Sequence, residues 1–535
     1  MRQRGNEKMS KYLKPIKVVC CENCENAGNI INDYPPQAIL TNNNNRVYST
    51  IKENGYLLLD FGREISGGIC ITVNNVGSKE AEFDITFGES VSEALTKNGI
   101  KNADNHHSIR NYRVPARFLS TQRVGDIGFR FVKISAIYAD VEISSVKAEM
   151  NYYDKEYKGS FECDDELINE IWKVGAYTVQ LNMNDYLWDG VKRDRLIWIG
   201  DMHPETSTIE AVYGDADCVR KSLDLIKAET PCDKWMNNYP SYTAWWIIIV
   251  YDVFMHGGDI EYLKEQEEYL KGVVRHFTKM IDSDFSNGDS PFVEWRSVDC
   301  EGEVEGLTAV LILALEHSQK IFGYLNDGEY ERICERYAEK LRNRTIKSPL
   351  NKRLCALNVL AGRTNSDIRE KLADNSGAEV SCFIGYYILL AKAKLGDYSG
   401  ATELIKNYWG SMIKMGATTF WEEFDMSWTD NAYGIDELPI DGKRDIHGDC
   451  GDYCYVGFRK SLCHGWASGP VPFLSKIIGG ITILEPGCRK VMINPNLGGL
   501  KRIKVSYPTP FGNINVYADS KSLKIDAPDE IEIVK

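Results

Sequence analysis

Apolar and polar positions follow three successive patterns along the 535-residue chain. Residues 46–150 contain short runs in which apolar and polar side chains alternate or β-branched residues cluster, such as "FRFVKISAIY", and these runs predict strands. From Phe161 to about residue 478 the apolar spacing is helical, beginning at "DDELINEIWKVGAYTVQLNM", where Asp164 or Asp165 is the expected N-cap. After residue 478 strand patterns return, as in "RIKVSYPTPFGNINVYA". The predicted order is therefore β, α, β.

This order predicts a multidomain protein with four segments. They are an N-terminal segment over 1–45, a β-sandwich over 46–157, a helical domain over 158–478 and a small β-domain over 479–535. Short strands at the spacing seen in the second segment favour a sandwich. The number and length of the helical segments suit a toroid of helical hairpins. An irregular helical domain has the same pattern, because helix count alone does not fix topology.

Composition narrows the class of partner. The net charge of −14, from 63 basic and 77 acidic residues, argues against nucleic acid. No stretch approaches the roughly 18 apolar residues of a membrane span. The N-terminus has no continuous apolar core of a signal peptide, so we expect a cytoplasmic protein. The sequence leaves the oligomeric state open, with a homodimer as one option.

The 15 cysteines are expected to be mostly reduced thiols in a cytoplasmic protein. Cys21 and Cys24 form a CxxC motif beside Cys20, but one such pair without a second pair is a weak signal for zinc. A cluster of ordinary thiols is the favoured interpretation. No motif predicts a bound metal or cofactor.

Two segments in the helical region concentrate acidic residues next to tryptophan. All eleven tryptophans lie between Trp172 and Trp466, and a tryptophan face suits stacking on sugar rings, although core packing of helices is the commoner role. The first segment, "LWDGVKRDRLIWIGD" (187–201), and the second, "GATTFWEEFDMSWTD" (416–430), each follow a predicted helix. The residues in question are Asp189, Asp194 and Asp201 with Trp188 and Trp198, and Glu422, Glu423 and Asp425 with Trp421 and Trp428.

Two carboxyl groups from distant loops that meet in a tryptophan-lined pocket are what glycoside hydrolysis requires. One carboxyl must be protonated and donate to the leaving oxygen, and the other must be ionised. The alternative for an acidic segment that also contains Lys192, Arg193 and Arg195 is a salt-bridged surface loop. The dense apolar context of both segments argues against a fully solvated loop.

The basic neighbours constrain which aspartate donates the proton. A nearby cation lowers the pKa of a carboxyl group, whereas a general acid needs a raised pKa. We therefore expect Arg193 and Arg195 to point away from the acid or to pair with other carboxylates. Asp189 and Asp201 are the expected partners, ionised, which leaves Asp194 as the protonated acid.

The motifs together resemble family 78 of the glycoside hydrolases, the α-L-rhamnosidases. The segment 189–201 resembles the family's D-C-P-x-R-(x)-E-R-x-G-W-x-G-D motif, and "GATTFWEEFD" resembles G-A-T-T-x-W-E. Four shorter stretches also match in order: "DFGREISGG" (60–68), "YTAWWI" (242–247), "SLCHGW" (461–466) and "TPFGNINV" (509–516). The resemblance covers roughly residues 50–520.

The resemblance implies an (α/α)6 barrel flanked by the two β-domains. It also implies inverting hydrolysis that removes terminal α-L-rhamnose from small glycosides or oligosaccharides. By position, Asp194 matches the general acid and Glu422 the general base. The matching sugar-contacting residues are Asp189, Arg193, Trp198, Asp201 and His464, with Trp245 and Trp295 as looser matches for pocket tryptophans. His203, near Asp201, is expected to be structural.

The chain departs from the family's pattern at three places. Asp194 stands where the family usually has Glu, Gly190 and Val191 replace Cys-Pro, and Cys463 replaces the Asn before the motif's His. These departures leave two alternatives to a rhamnosidase. One is an (α/α)6 glycosidase or phosphorylase that acts on another sugar, and the other is a carbohydrate-binding homologue without catalysis.

Overall fold

The N-terminal part of the chain folds into a seven-stranded antiparallel sheet in the computed structural model, which describes residues 10–38, 47–151, 153, 155–286, 288–298, 302–347 and 350–535. The strands are β1 Ser10–Leu13, β2 Lys17–Glu25, β3 Ser49–Val76, β4 Glu82–Gly88, β5 Asn111–Pro115, β6 Ser120–Ile137 and β7 Val141–Asn151. Their order is β1-β7-β3-β6-β4-β5, with β2 also paired to β3. A short helix, α1 (Val91–Leu95), follows β4.

The 28-residue strand β3 allows this one sheet to enclose a core. Its two ends, at Ile51 and Val76, both pair with Val141 of β7, and the register against β6 shifts between Asp60 and Ile65. The sheet therefore wraps around its own apolar face, which is the buried cluster of the β-domain. The N-terminal boundary at 45 needs correction, because β1 and β2 precede it and pair within this sheet.

Helices make up the chain between Glu166 and Ile478. Asp165, one of the two expected caps, accepts hydrogen bonds from the N–H groups of Leu167 and Ile168 at the start of the first long helix. The helices of the described residues are α2 Glu166–Asn182, α3 Met202–Val212, α4 Asp217–Glu229, α5 Pro240–Gly257, α6 Ile260–Asp282, α7 Glu303–Leu325, α8 Gly328–Arg342, α9 Lys352–Leu360, α10 Ser366–Ala373, α11 Gly385–Lys394, α12 Tyr398–Lys414 and α13 Pro470–Pro472, the last continuing as a π-helical turn over Phe473–Ile478. Both α12 and α13 contact α2, so the last helices return to the first.

The C-terminal strands form two small sheets. The first has β11 Ile481–Glu485, β12 Lys490–Ile493 and β16 Glu532–Val534. The second has β13 Arg502–Thr509, β14 Gly512–Asp519, β15 Leu523–Asp526 and, from earlier in the chain, β8 Ser160–Cys163. A separate two-stranded pair lies in the helical region and consists of β9 Ala432–Tyr433 and β10 Arg444–Asp445. The strand β8 precedes the helices but pairs with β13, as Val505 with Phe161. The boundary at 158 is therefore corrected, since the chain enters the C-terminal sheet before it enters the helical domain.

Two expectations about surroundings can be compared with the structure. Within the described ranges, no helix has both the length and the apolar content needed to cross a membrane. Cys20, Cys21 and Cys24 lie on β2 and are free thiols. Burial raises the pKa of the Cys24 thiol to about 11.

Candidate active site

The first acidic segment is a loop between α2 and α3, and its own hydrogen bonds fold it back. The N–H of Asp189 donates to the carbonyl of Leu196 at 3.1 Å, and the N–H of Leu196 donates to Oδ1 of Asp189 at 2.9 Å. Gly190 forms an isolated antiparallel bridge with His464, so the loop is also joined to the segment that follows β10. Asp201 ends the loop and begins α3.

Two consecutive residues of this loop have left-handed backbones. The φ angles are 59° at Asp194 and 56° at Arg195, a region in which aspartate is tolerated better than most residues and arginine is rare. The two side chains consequently leave the loop in different directions. Asp194 lines the pocket described below, whereas Arg195 binds Asp126 at 3.1 Å and stacks over Trp188 at 4.3 Å.

The second acidic segment follows α12, which the chain leaves through Gly416 with a φ of 92°. Glu422 pairs with Ser461 in both directions: its N–H donates to the carbonyl of Ser461 at 3.0 Å, and its Oε2 accepts from the N–H of Ser461 at 2.8 Å. The other two acids turn away from Glu422, since Glu423 and Asp425 both pair with Arg296. The structure therefore presents Glu422 alone of these three to the pocket.

The two loops meet at a pocket of about 220 Å³. This volume is below the roughly 300–1,000 Å³ of sites for drug-sized ligands, and it suits a ligand the size of one sugar ring. Its lining is rich in acids and aromatic rings. The residues are His107, Asp189, Arg193, Asp194, Trp198, Asp201, Tyr239, Tyr242, Phe292, Trp295, Glu422, Cys454, Tyr455, Arg459, His464 and Trp466.

Of the site residues predicted from the sequence, the pocket contains all but Trp245. The indole of Trp245 is fully buried and stacks on Tyr387 at 4.7 Å and on His203 at 5.5 Å. Its assignment as a sugar-contacting residue is corrected, because a ring enclosed in the core offers no face to a ligand. His203 is structural as expected, bonded to Tyr387 at 2.8 Å and to Asp252 at 3.0 Å.

The tryptophans that flank the acids divide between the pocket and its support. Trp198 lines the pocket, and its Nε1 donates to Oδ2 of Asp194 at 3.1 Å. Trp188 lies in a neighbouring cleft. Trp421 is fully buried, and Trp428 lies beneath Lys460, whose Nζ is 4.5 Å from the ring centre. These last two therefore pack the loop rather than face a ligand.

Arg193 joins the two carboxyl groups that the sequence singles out. Its Nη1 is 3.2 Å from Oδ1 of Asp194, and its Nη2 donates to Oε1 of Glu422. Both arginines were expected to point away from the acid or to pair with other carboxylates. Arg195 pairs with Asp126, and Arg193 pairs with Glu422 but also lies beside Asp194, so neither binds the expected partners Asp189 and Asp201. One guanidinium group thus contacts both carboxyl groups.

The floor of the pocket is formed by Asp189, Asp201 and His464. The Nε2 of His464 lies 3.7 Å from Oδ2 of Asp189 and 3.8 Å from Oδ2 of Asp201. Burial, followed by repulsion from Asp194, raises the pKa of Asp189, and burial likewise raises the pKa of Asp201. Burial, together with the nearby charge of Arg193, lowers the pKa of His464 to about 3.

The surroundings of the floor differ from the expectation. Arg193 and Arg195 pair with Asp194, Glu422 and Asp126 rather than with the floor aspartates, and burial raises the pKa of both Asp189 and Asp201, in the direction of the neutral form. Neutral carboxyl groups and a neutral imidazole can both donate and accept hydrogen bonds. This combination suits the hydroxyl groups of a sugar, which also donate and accept.

The N-terminal β-domain holds both loops through a buried ionic cluster that the sequence did not reveal. The Nζ of Lys192 lies 2.9 Å from Glu89 and 3.3 Å from Glu93, and it also donates to the carbonyl of Lys460 at 2.7 Å. Glu89 in turn accepts from the N–H of Leu462 at 2.7 Å. Glu89 and Glu93 lie close enough to a buried histidine to share a metal ion, but the ammonium group of Lys192 already supplies the cation. The cluster fixes the acid-bearing loop against the segment that supports Glu422.

Sequence reasoning also missed several aromatic residues of the pocket and His107. Tyr242 lies on α5, and its hydroxyl donates to Oδ1 of Asp201 at 2.8 Å. Trp466 packs against His464 with ring centres 4.3 Å apart. His107 comes from the β-domain and lies in no motif, so only the folded structure places it at the pocket. Tyr242, by contrast, is the first residue of the aromatic motif at 242–247, so that motif could have pointed to it instead of Trp245.

Two carboxyl groups on separate loops, beside a floor of hydrogen-bonding groups and walls of aromatic rings, form a site of the glycoside hydrolase type. Comparison with known proteins makes this more specific. Residues 156–345 match the model of the bacterial α-L-rhamnosidase six-hairpin glycosidase domain. An α-L-rhamnosidase of Formosa agariphila is 24% identical over 218 residues, which are 39% of this chain and 21% of that protein.

Solved structures share the fold over nearly the whole chain. The family 78 rhamnosidase of Bacillus sp. GL1 aligns with a TM-score of 0.74 and 21% identity, over 94% of this chain and 55% of that one. A rhamnosidase from Klebsiella oxytoca with rhamnose bound aligns with a TM-score of 0.68 and 16% identity, over 88% and 96% of the two chains. The resemblance to the α-L-rhamnosidases is therefore confirmed, and these relatives are glycoside hydrolases. The chain spans about a fifth of the Formosa protein and about half of the Bacillus one.

Proposed function

We propose that this protein is an inverting glycoside hydrolase that removes terminal α-L-rhamnose from small glycosides or oligosaccharides. The observation that carries the proposal is the pocket in which Asp194 and Glu422, from separate loops, flank one guanidinium group. The family match and the twelve helical segments of the described chain, the last in contact with the first, support the six-hairpin (α/α)6 arrangement for the helical domain.

Asp194 is the proposed general acid. It lies toward the open side of the pocket, with its side chain 14% exposed, while the side chain of Glu422 is 3% exposed. A glycoside entering sugar first would place its leaving oxygen at the open side, where the acid must donate. Arg193 contacts both carboxyl groups, so the two proposed catalytic side chains are held on one guanidinium.

Glu422 is the proposed general base. Its two oxygens accept hydrogen bonds from Arg193 and from the N–H of Ser461, an arrangement that suits an ionised carboxylate. An inverting mechanism requires room for a water between the base and the sugar. Glu422 would remove a proton from that water while Asp194 protonates the leaving oxygen.

Asp189, Asp201 and His464 are the proposed hydroxyl-binding residues, and Trp198 and Trp295 the proposed walls. Retention of the sugar ring would come from the floor, where burial raises the pKa of both aspartates and lowers that of His464, so that their neutral forms could exchange hydrogen bonds with sugar hydroxyl groups. Arg193 contacts both reacting carboxyl groups and would orient them as well as contact the sugar.

A panel of nitrophenyl glycosides, with the anomer of the released sugar followed by NMR, tests the proposal. We expect release of L-rhamnose from the α-L-rhamnoside with inversion at the anomeric carbon. Parallel assays with and without inorganic phosphate separate hydrolysis from phosphorolysis. Release of a different sugar, product with retained configuration, or dependence on phosphate would each contradict the proposed reaction, and tight sugar binding without turnover would indicate a binding protein.

A further inference from the structure

A loop of the N-terminal β-domain, residues 96–110, reaches the candidate active site. It is fixed at both of its ends. The hydroxyl of Ser108 donates to the carbonyl of Lys192, the residue before Arg193 in the acid-bearing loop. Arg110 donates from Nη2 to the carbonyl of Thr96 at 3.0 Å, which closes the base of the loop. The β-domain is therefore built into the pocket and is not only a neighbour of it.

His107 lies at the tip of this loop and touches the proposed acid. Its Nδ1 is 3.4 Å from Oδ1 of Asp194, and its side chain is 36% exposed. The backbone of His107 has a φ of 65°, a left-handed conformation that costs free energy and that clusters at functional positions. His107 therefore lines the pocket, contacts the proposed acid and is still open to solvent.

Inverting turnover creates a need that this position can meet. After each reaction Asp194 has lost its proton to the leaving oxygen, and Glu422 has gained one from water. A group at the open side of the pocket that carries protons from solvent to Oδ1 of Asp194 would make the acid ready to donate again.

We propose that His107 is a positioning residue that returns the proton to Asp194 between turnovers. The imidazolium gives the proton on Nδ1 to the Asp194 carboxylate, and the resulting neutral imidazole takes a proton from water at its exposed side, so charge and protons balance. Imidazole is the side chain suited to such exchange near neutral pH. The proposal rests on the proposed function of Asp194 as the acid.

The charged groups around His107 are consistent with this role. Asp194 and Arg193 face it from the acid-bearing loop, and Arg459 lines the same pocket from another segment. On its own loop, Asp104 is occupied by His106, whose Nδ1 lies 3.6 Å away. Among the described residues, Asp194 is therefore the carboxylate that contacts the ring of His107.

The test compares His107→Ala with His106→Ala as the matched control. His106 is the adjacent histidine, its side chain is 75% exposed, and it does not line the pocket. Both variants are assayed on an alkyl α-L-rhamnoside, whose leaving oxygen needs a proton, and on a dinitrophenyl α-L-rhamnoside, whose leaving group does not. We expect His107→Ala to lower kcat about ten-fold on the alkyl substrate, less than the about 10²–10⁴-fold contributed by a general acid itself. The dinitrophenyl substrate should be turned over as before, and added imidazole should restore the alkyl activity.

Several outcomes would overturn the role of His107. Equal losses on both substrates, a change confined to KM, or absence of imidazole rescue would make His107 a binding or packing residue. Failure of the parent protein to release rhamnose from any substrate would instead refute the proposed function.

Discussion

Replacing Asp194 with Asn removes the proposed acid and keeps the size of the side chain. A general acid contributes about 10²–10⁴-fold to the rate, which corresponds to about 2.7–5.5 kcal/mol of the activation barrier. The pocket shape should survive, because Asn can still accept the hydrogen bond that Trp198 donates to Oδ2 at 3.1 Å. The interaction with Arg193 is weakened, and a hydrogen bond to a charged group is worth about 1.5–3 kcal/mol.

These values predict a loss that depends on the leaving group. For an alkyl α-L-rhamnoside, kcat of Asp194→Asn should fall by about 10²–10⁴-fold with a much smaller change in KM. For a dinitrophenyl α-L-rhamnoside the fall should be much smaller, because the departing phenolate needs no proton. Steady-state kinetics on both substrates measure the difference, and urea denaturation confirms that the variant is folded. Equal losses on the two substrates, or full activity on the alkyl one, would refute the assignment of Asp194.

Three further predictions follow from the neighbouring carboxyl groups. Glu422→Gln should lower kcat by about 10²-fold or more on every leaving group. Glu423→Gln loses only a pairing with Arg296, so it should stay active while its free energy of unfolding falls by about 1.5–3 kcal/mol. Comparable kinetics for the two variants would remove Glu422 from the mechanism. The contact between His107 and Asp194 should contribute little to stability, about 0–1 kcal/mol as for other pairs near the surface. His107→Ala should therefore unfold in urea at a midpoint close to that of the parent. A large shift of the midpoint would point to a structural role. Glu205 is fully buried, and burial raises the pKa of its carboxyl group. Above the ordinary pKa of glutamate, the unfolded chain loses this proton while the folded protein keeps it. The free energy of unfolding therefore falls as the pH rises. In Glu205→Gln the decrease in the free energy of unfolding should be smaller by up to about 1.4 kcal/mol per pH unit above pH 5. Urea denaturation at pH 5 and pH 8 measures the difference. An identical pH dependence in the parent and the variant would contradict the prediction.

The order of the domains could be read from the sequence because strands and helices repeat their apolar positions at different periods. The exceptions are the strands whose partners lie far along the chain. Nothing near β8 indicates that it pairs with β13, and β1 and β2 are short strands in a polar segment. Period and propensity describe a segment by itself, whereas membership of a sheet depends on contacts made only in the folded chain.

The candidate site was predictable where loops carry several chemically informative residues together. The segment 189–201 concentrates acids, bases and an aromatic ring, and its acids reach one pocket. Trp245 shows the limit, since an aromatic residue at helical spacing has the same pattern whether it faces a ligand or the core. Charge counting did not foresee the surroundings of Asp189 and Asp201 for a related reason. Burial raises the pKa of both carboxyl groups, and the sequence does not display burial.

The aspartate at position 194, where the family usually has glutamate, is explained by the local backbone. The left-handed conformation at Asp194 is one that aspartate adopts far more readily than glutamate, and a second left-handed residue, Arg195, follows directly. This backbone already places Oδ2 against Nε1 of Trp198 at 3.1 Å and Oδ1 beside Arg193 at 3.2 Å. The short side chain and the left-handed turn therefore act together to place the carboxyl group of the proposed acid between Trp198 and Arg193.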